Sequence, residues 1–286
     1  QDYAAVFDMA LDDGTLYLAG DFTHVGGFVR RGAAAIDART GAVSPWDPAL
    51  QGRFVTGRAV EVSGSTVYLG GSFDRAGGAL RRNLVALDAA TAAALAWDPS
   101  PDYEVDALAL DSGRLLVGGG FWSIGGAERR CLAEVDTATG LATGWNPRLG
   151  QSTGLPTVLS VLPDRDQIHV AGQFASIGGQ TRNDVARLGR GDGIPLSWDA
   201  RVGGYAFVMT LVVNDGTEWM GGEFQQIAGH LVSGLVHVVS DEWPPTGTSL
   251  TTADAPMVLD EPYELRWGAT DDVGVLSVDI YLSRSG

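Results

Sequence analysis

One phrase recurs five times along this chain, and its internal spacing constrains the fold more than any other feature. Short glycine-containing elements end in Phe22, Phe73, Phe121, Phe174 and Phe224. Four residues after each of the first four Phe comes a Gly-Gly pair, as in Gly26-Gly27 and Gly77-Gly78, with Ala228-Gly229 as the fifth, degenerate copy. Trp46, Trp97, Trp145 and Trp198 each stand 24 positions after their Phe. A unit of about 50 residues cannot bury its own apolar face, so it must stack on its neighbours as a propeller or an array.

The second copy shows how one unit is built. Ala59 to Val62 alternates, Ser63-Gly64-Ser65 turns, and Thr66 to Leu69 returns, which predicts a hairpin. A third strand is expected over Leu84 to Asp88 and a short fourth one ending at Trp97, giving four antiparallel strands per unit. The expected fold is therefore all-β: a β-propeller with five recognisable four-stranded repeats over residues 1–243. Phe22, Phe73, Phe121, Phe174 and Phe224 are expected to fill the wedges between blades, with the four Trp packed there as well. Asp37 and Asp136 each precede a Thr-Gly turn by three residues, a spacing at which the carboxylate accepts turn N–H groups.

Phe-to-Trp spacing is constant, whereas Trp to the next Phe spans 27, 24, 29 and 26 positions. All variation thus falls in the crossover between units, and variable loops on a constant scaffold are where recognition concentrates. The candidate ligand- or partner-binding residues are Arg53, Phe54, Asp102, Tyr103, Arg148, Gln151, Arg201 and Tyr205. Arg30, Arg81, Arg129 and Arg182 recur three residues after Gly-Gly. A guanidinium there can tie the corner to carbonyls or to Asp47, Asp98 and Asp199, and a partial ring of Arg could instead hold an anionic glycan.

These motifs carry a family resemblance. Val67-Tyr68-Leu69-Gly70-Gly71-Ser72-Phe73, Gly77-Gly78, Arg81-Arg82-Asn83-Leu84, Leu87-Asp88 and Trp97-Asp98-Pro99 resemble the bacterial DUF5122 β-propeller repeat, across about residues 4 to 243. The resemblance implies a secreted or cell-surface protein and brings no catalytic residues with it. Asp37 to Gly41 followed by Trp46 also resembles the tryptophan-docking repeat of quinoprotein dehydrogenases. That likeness implies a shared packing device without the cofactor. After the linker-like Pro244-Pro245-Thr246-Gly247-Thr248, residues 244–286 resemble the front half of a bacterial immunoglobulin-like β-sandwich, shorter than the roughly 100 residues a whole one needs.

Composition narrows the functions. The 35 acidic residues face 19 basic ones, all arginine, for a net charge of -16, which opposes binding to nucleic acid and anionic membranes. No apolar run is long enough to span a bilayer. The one cysteine, Cys131, excludes an internal disulfide framework and is expected to be buried and inert. His24, His169, His230 and His237 share no metal-binding spacing, so no metal or cofactor is expected.

The reading is a noncatalytic extracellular interaction protein, with a glycan or a surface protein as partner. One alternative is a polysaccharide-active glycosidase or lyase using Asp8, Glu61, Glu104 and Asp106 on the inner strands. Another is a structural subunit of a surface appendage. Both ends are expected to need completion, either by further chain or by a neighbouring copy, which would make the protein a homo-oligomer.

Overall fold

A computed structural model describes residues 4–150, 155–203, 206–214, 217–227, 230–231, 234–239, 264–266 and 279–281. The chain divides into two units, 1–246 and 247–286. In the second, Glu264–Arg266 pairs antiparallel with Asp279–Tyr281. The rest of the immunoglobulin-like expectation lies outside the described residues.

The first unit is all-β, with no helix among the described residues. Each repeat forms one antiparallel sheet of three strands. The inner strands are Ala5–Asp12, Thr56–Ser63, Val105–Asp111, Thr157–Asp164 and Phe207–Asn214. The middle strands are Thr15–Asp21, Thr66–Ser72, Arg114–Gly119, Gln167–Gln173 and Thr217–Glu223. The outer strands are Ala33–Asp37, Leu84–Asp88, Leu132–Asp136, Val185–Gly189 and Leu235–Val239. Successive inner strands pack on one another around a common axis, as propeller blades do. Each inner strand except its terminal pairs is continuous apart from one bulge, which falls at Phe7, Arg58, Asp106, Leu159 and Met209.

In repeats 1 to 4 the expected fourth strand is not formed. Its place is taken by a single bridge in each of these four: Ile36 with Val43, Leu87 with Ala94, Val135 with Ala142 and Leu188 with Pro195. Tryptophan docking explains the difference. After one ladder pair the backbone must leave the sheet edge to bring Trp46, Trp97, Trp145 and Trp198 between blades, and all four are buried. The first three reach into the following repeat, where their Nε1–H groups donate to the carbonyls of Asp88, Asp136 and Gly189 at 3.2, 3.0 and 3.5 Å. Tyr17 and Tyr68 meet Trp46 and Trp97 edge-on at 5.2 Å. All five repeat Phe are buried as well.

The turn before each Trp is fixed by its Asp. Asp37 Oδ1 accepts from the N–H and Oγ1–H of Thr40 at 2.7 Å each, and Asp88 with Thr91 and Asp136 with Thr139 repeat the arrangement. These bonds to the charged form hold the three carboxyls below the usual carboxylate range. The glycine of the middle strand answers to crowding rather than to a turn, because a Cβ on Gly71 would lie 2.1 Å from the Thr56 carbonyl oxygen.

Most of the blade-to-blade core is apolar, built from one repeat's Tyr, Ala and Gly against the next one's Val and Leu. Between repeats 4 and 5 it also contains a cluster of ions. Glu218 occupies the position held by Leu16, Val67, Leu115 and Ile168 in the other middle strands, and it is fully buried. Arg187 donates to Glu218 Oε2 through Nε and Nη2 at 3.0 and 2.7 Å, and His169 Nδ1 stands 3.1 Å from Oε1. The Arg187 guanidinium also lies over the Trp198 ring at 4.1 Å. A buried charge persists only when it is paired this fully.

Candidate binding face

The crossovers and the Gly-Gly corners lie at the same end of every blade, because each inner strand begins opposite the end of its middle strand. Each crossover starts with a short turn after Trp. Asp47, Asp98 and Asp199 accept the N–H two residues on at 2.8, 3.2 and 2.9 Å, and Ala49, Ser100 and Arg201 adopt positive φ there, as Arg148 does in the third crossover. Such side-chain turns make the left-handed conformation tolerable for residues other than glycine.

The crossover then bonds to the corner of the next repeat. Gly77, Gly125 and Gly178 donate their N–H groups to the carbonyls of Pro48, Pro99 and Pro147 at 2.7 Å each. These glycines take φ of 56, 60 and 58°. A Cβ at Gly125 would come 2.3 Å from the Ala142 nitrogen, so the corner can approach this closely only without a side chain. Further along, Gln51 bridges Arg75, Leu149 and Gly150 pair with Ile177 and Ser176, and Gly203 bridges Gln226. The crossover is thus an added edge of the neighbouring corner hairpin, which keeps the loops on a rigid base.

On that base stand exposed aromatic rings. Phe54 is 68% exposed and Tyr103 55% exposed, and Trp122, at the corner of repeat 3 that the Tyr103 crossover meets, is 42% exposed. Arg53 lies over Phe54 at 5.2 Å, and Arg130 lies over Trp122 at 4.2 Å. The Tyr103 ring rests against Gly120, where a Cβ would approach its Cδ1 to 3.0 Å. Asp102 is occupied internally: its carboxylate accepts from the N–H groups of Trp122 and Ser123 at 2.8 and 3.1 Å and from Ser123 Oγ at 2.9 Å. It positions the ring of Trp122 rather than presenting a free carboxylate.

The candidates from the sequence therefore separate. Arg53 with Phe54, and Tyr103 with Asp102, sit in the first two complete crossovers, while Arg148 and Arg201 are exposed in the third and fourth. Gln151 and Tyr205 lie outside the described residues. Trp122 and Arg130 join Tyr103, and Trp122 was not anticipated. Its signal was present, since the residue after the repeat Phe is Thr23, Asp74, Trp122, Ala175 and Gln225, and only one of these is a large aromatic. Troughs of about 460 and 440 Å³ run between crossover and corner at equivalent places one repeat apart, the first floored by Gly125-Gly126 and the second by Gly178-Gly179.

The Arg that recurs three residues after each Gly-Gly turns inward to backbone. Arg30, Arg81, Arg129 and Arg182 donate through Nη2 to the carbonyls of Ser44, Leu95, Thr143 and Leu196 at 2.8, 2.8, 2.5 and 2.9 Å. Arg30 and Arg81 also stand 3.6 and 3.4 Å from Asp47 and Asp98. This geometry leaves little of the four guanidiniums for a ligand.

The inner-strand carboxylates tie adjacent blades. Asp8 Oδ2 accepts from the Val60 N–H at 2.8 Å, and Ser160 accepts from the Leu211 N–H at the equivalent place. Glu104 pairs with Arg58 at 2.8 Å, and Asp106 meets Thr157 Oγ1 at 3.1 Å. Burial, reinforced by Asp8, pushes Glu61 up to about 7, although N–H groups of Leu110 and Val62 pull the other way. Burial, followed by the Glu104 charge, pushes Asp106 up to about 6. Cys131 is buried and its thiol is pushed up to about 12, chiefly by that burial. Among the described residues no three His, Cys, Asp or Glu side chains gather as a metal site, and no helix is long and apolar enough to cross a membrane.

Comparison with known proteins agrees with this architecture. Residues 166–193, from the inner hairpin of repeat 4 through its outer strand, match the family model for the domain of unknown function DUF5122 β-propeller. No curated protein matches the chain. The extracellular domain of the putative hybrid two component system BT4673 from B. thetaiotaomicron is similar, with 15% identity and a TM-score of 0.52 over 86% of this chain and 27% of that one. A second structure of that ectodomain, described as a putative one component system, gives 15% identity and 0.50 over 82% and 29%. The computationally designed protein Ika8 gives 14% identity and 0.50 over 83% of this chain and 69% of its own. At these identities the likeness is one of fold, and this chain spans under a third of the BT4673 ectodomain.

Proposed function

We propose that this chain is a noncatalytic recognition module of a secreted or cell-surface protein, binding a glycan across the crossover face of repeats 2 and 3. The carrying observation is the pair of exposed rings Tyr103 and Trp122, joined through Asp102, with Phe54 exposed on the preceding crossover, all on loops that hydrogen bonds fix to a rigid blade edge. Aromatic faces accept the C–H faces of sugar rings, and preorganised loops spend little ordering entropy on binding. Arg53 and Arg130 add guanidinium donors beside two of these rings. The extracellular setting of the BT4673 neighbours supports a surface location.

A glycan-array screen followed by calorimetry tests the reading. Tyr103→Ala with Trp122→Ala should weaken binding to the selected sugar at least about tenfold, with melting nearly unchanged because both rings are exposed. Unchanged affinity in the folded double variant overturns the assignment of this face. The raised carboxyls of Glu61 and Asp106 favour one second reading, acid–base action on a polysaccharide at the axis. Polysaccharide turnover lost in Glu61→Gln would establish it in place of the noncatalytic one.

A further inference from the structure

Directly after the inward-turned arginines comes a second column of the repeat, which reads Arg31, Arg82, Arg130, Asn183 and Ser233. Its cations stand in repeats 1 to 3 alone. Arg31 and Arg82 are exposed, and among the described residues their guanidiniums make no hydrogen bond or ion pair. Arg130 is half-buried and its guanidinium lies on the Trp122 ring at 4.2 Å, again without a hydrogen bond or ion pair.

Two of these cations flank the crossover that carries Tyr103. On one side Arg82 precedes Asn83, whose Nδ2–H donates to the Pro101 carbonyl at 3.3 Å. On the other, Asp102 accepts from the Trp122 N–H at 2.8 Å, and Arg130 covers that ring. One short loop, Pro101-Asp102-Tyr103, thereby joins two exposed rings to two unpaired guanidiniums. The carboxylates around it are engaged within the protein. Asp98 stands 3.4 Å from Arg81, Asp102 holds the Trp122 corner, and Glu104 pairs with Arg58 at 2.8 Å. Donors are left over here where acceptors are not.

We propose that the ligand of this face is an acidic glycan, with the carboxylate or sulfate of one sugar bound by Arg82 and Arg130 while Tyr103 and Trp122 take the sugar-ring faces. The inference rests on the recognition reading above and names the ligand class within it. A guanidinium presents its N–H donors as a planar fork that matches a two-oxygen anion. Arg130, already stacked on Trp122, has less freedom to lose on binding than an unsupported side chain. The net charge of -16 does not decide the matter locally, because at physiological salt fields fade over a Debye length of about 8 Å and the nearest groups dominate. Of these, Glu128, exposed and paired in register with Ser123, opposes an anion.

A glycan array read for acidic against neutral sugars, followed by calorimetry on the whole chain, tests the proposal. The calorimetric probes are oligogalacturonate, a chondroitin sulfate oligosaccharide and a neutral cellooligosaccharide of matched length. At least one acidic probe should bind about tenfold or more tightly than the neutral one, and the margin should shrink as salt is raised. The tighter of the two acidic probes tells a carboxylate from a sulfate. Arg82→Gln removes no hydrogen bond of the fold, so it should melt with the parent and weaken the acidic probe at least about threefold, and adding Arg130→Gln should extend the loss to about tenfold or more. Glu128→Gln should bind the acidic probe equally or more tightly. The proposal is overturned by a neutral probe that binds better than both acidic ones, by parent affinity in the folded Arg82→Gln, Arg130→Gln variant, or by weaker acidic-probe binding in Glu128→Gln. If neutral binding is then still lost in Tyr103→Ala with Trp122→Ala, the ring face stands and the anionic assignment alone falls. A chain that binds no saccharide removes both.

Discussion

Glu218→Gln should be the most costly single change in the charge balance of this molecule. Glu218 is 0% exposed and accepts two hydrogen bonds from Arg187, so the amide leaves a guanidinium buried without its counter-charge. Breaking one side of a buried pair costs about 3–5 kcal/mol. For a chain segment of this size each kcal/mol lowers the melting midpoint by about 2–4 °C, so the shift should reach roughly 10 °C. In a stack of repeats the loss should concentrate at the damaged junction, and repeat 5 should lose hydrogen-exchange protection before repeats 1 to 3. The reverse experiment copies the junction of repeats 2 and 3, where Tyr68, Ala86 and Leu115 stand at these positions. The triple change His169→Tyr, Arg187→Ala and Glu218→Leu should be neutral or stabilising by about 1–4 kcal/mol, since an apolar set can replace a buried ion cluster without loss. Acid should also act through Glu218. Burial alone would raise its pKa, but hydrogen bonds and charge from His169 and Arg187 outweigh that and hold it low. A depressed folded pKa contributes stability above the unfolded value of about 4.3 and loses it as pH falls through the folded value. The triple variant should therefore lose less stability in acid than the parent. Calorimetry and exchange mass spectrometry read all three effects. A Glu218→Gln variant melting with the parent, or a triple variant as unstable as the single one, would refute the reasoning.

Three further changes separate effects that composition alone would merge. Glu61, with its pKa pushed up to about 7, contributes stability below its unfolded value that is lost as pH rises through 7. Urea denaturation should show Glu61→Gln gaining on the parent between pH 4 and pH 8, by the order of 1–3 kcal/mol, and parallel profiles would exclude it. Trp97→Ala removes a buried ring and its 3.0 Å bond to Asp136, and should cost about 4–6 kcal/mol in thermal melts. Trp122→Ala should cost under about 0.5 kcal/mol, and equal losses for the two would contradict the placement of these rings.

The unit was legible in the sequence because its constraints are local. Positive φ at Gly77 and Gly125, the Asp37–Thr40 turn and the close approach at Gly71 each restrict a position to one or two residue types, so they recur visibly. The fourth strand misled because Ala93 to Ala96 is compatible with an edge strand, while the demand that removes it comes from Trp97 docking into another blade. The ion cluster was illegible for a different reason. His169, Arg187 and Glu218 are far apart in sequence, and each looks like an ordinary surface residue until it is set against Tyr68, Ala86 and Leu115 in the same columns. Trp122 was hidden in the same way. In a chain of repeats, residues that obey the column describe the scaffold. Those that depart from it, Trp122 on the loop face and Glu218 between blades, are where a scaffold shared by all five units acquires distinct chemistry.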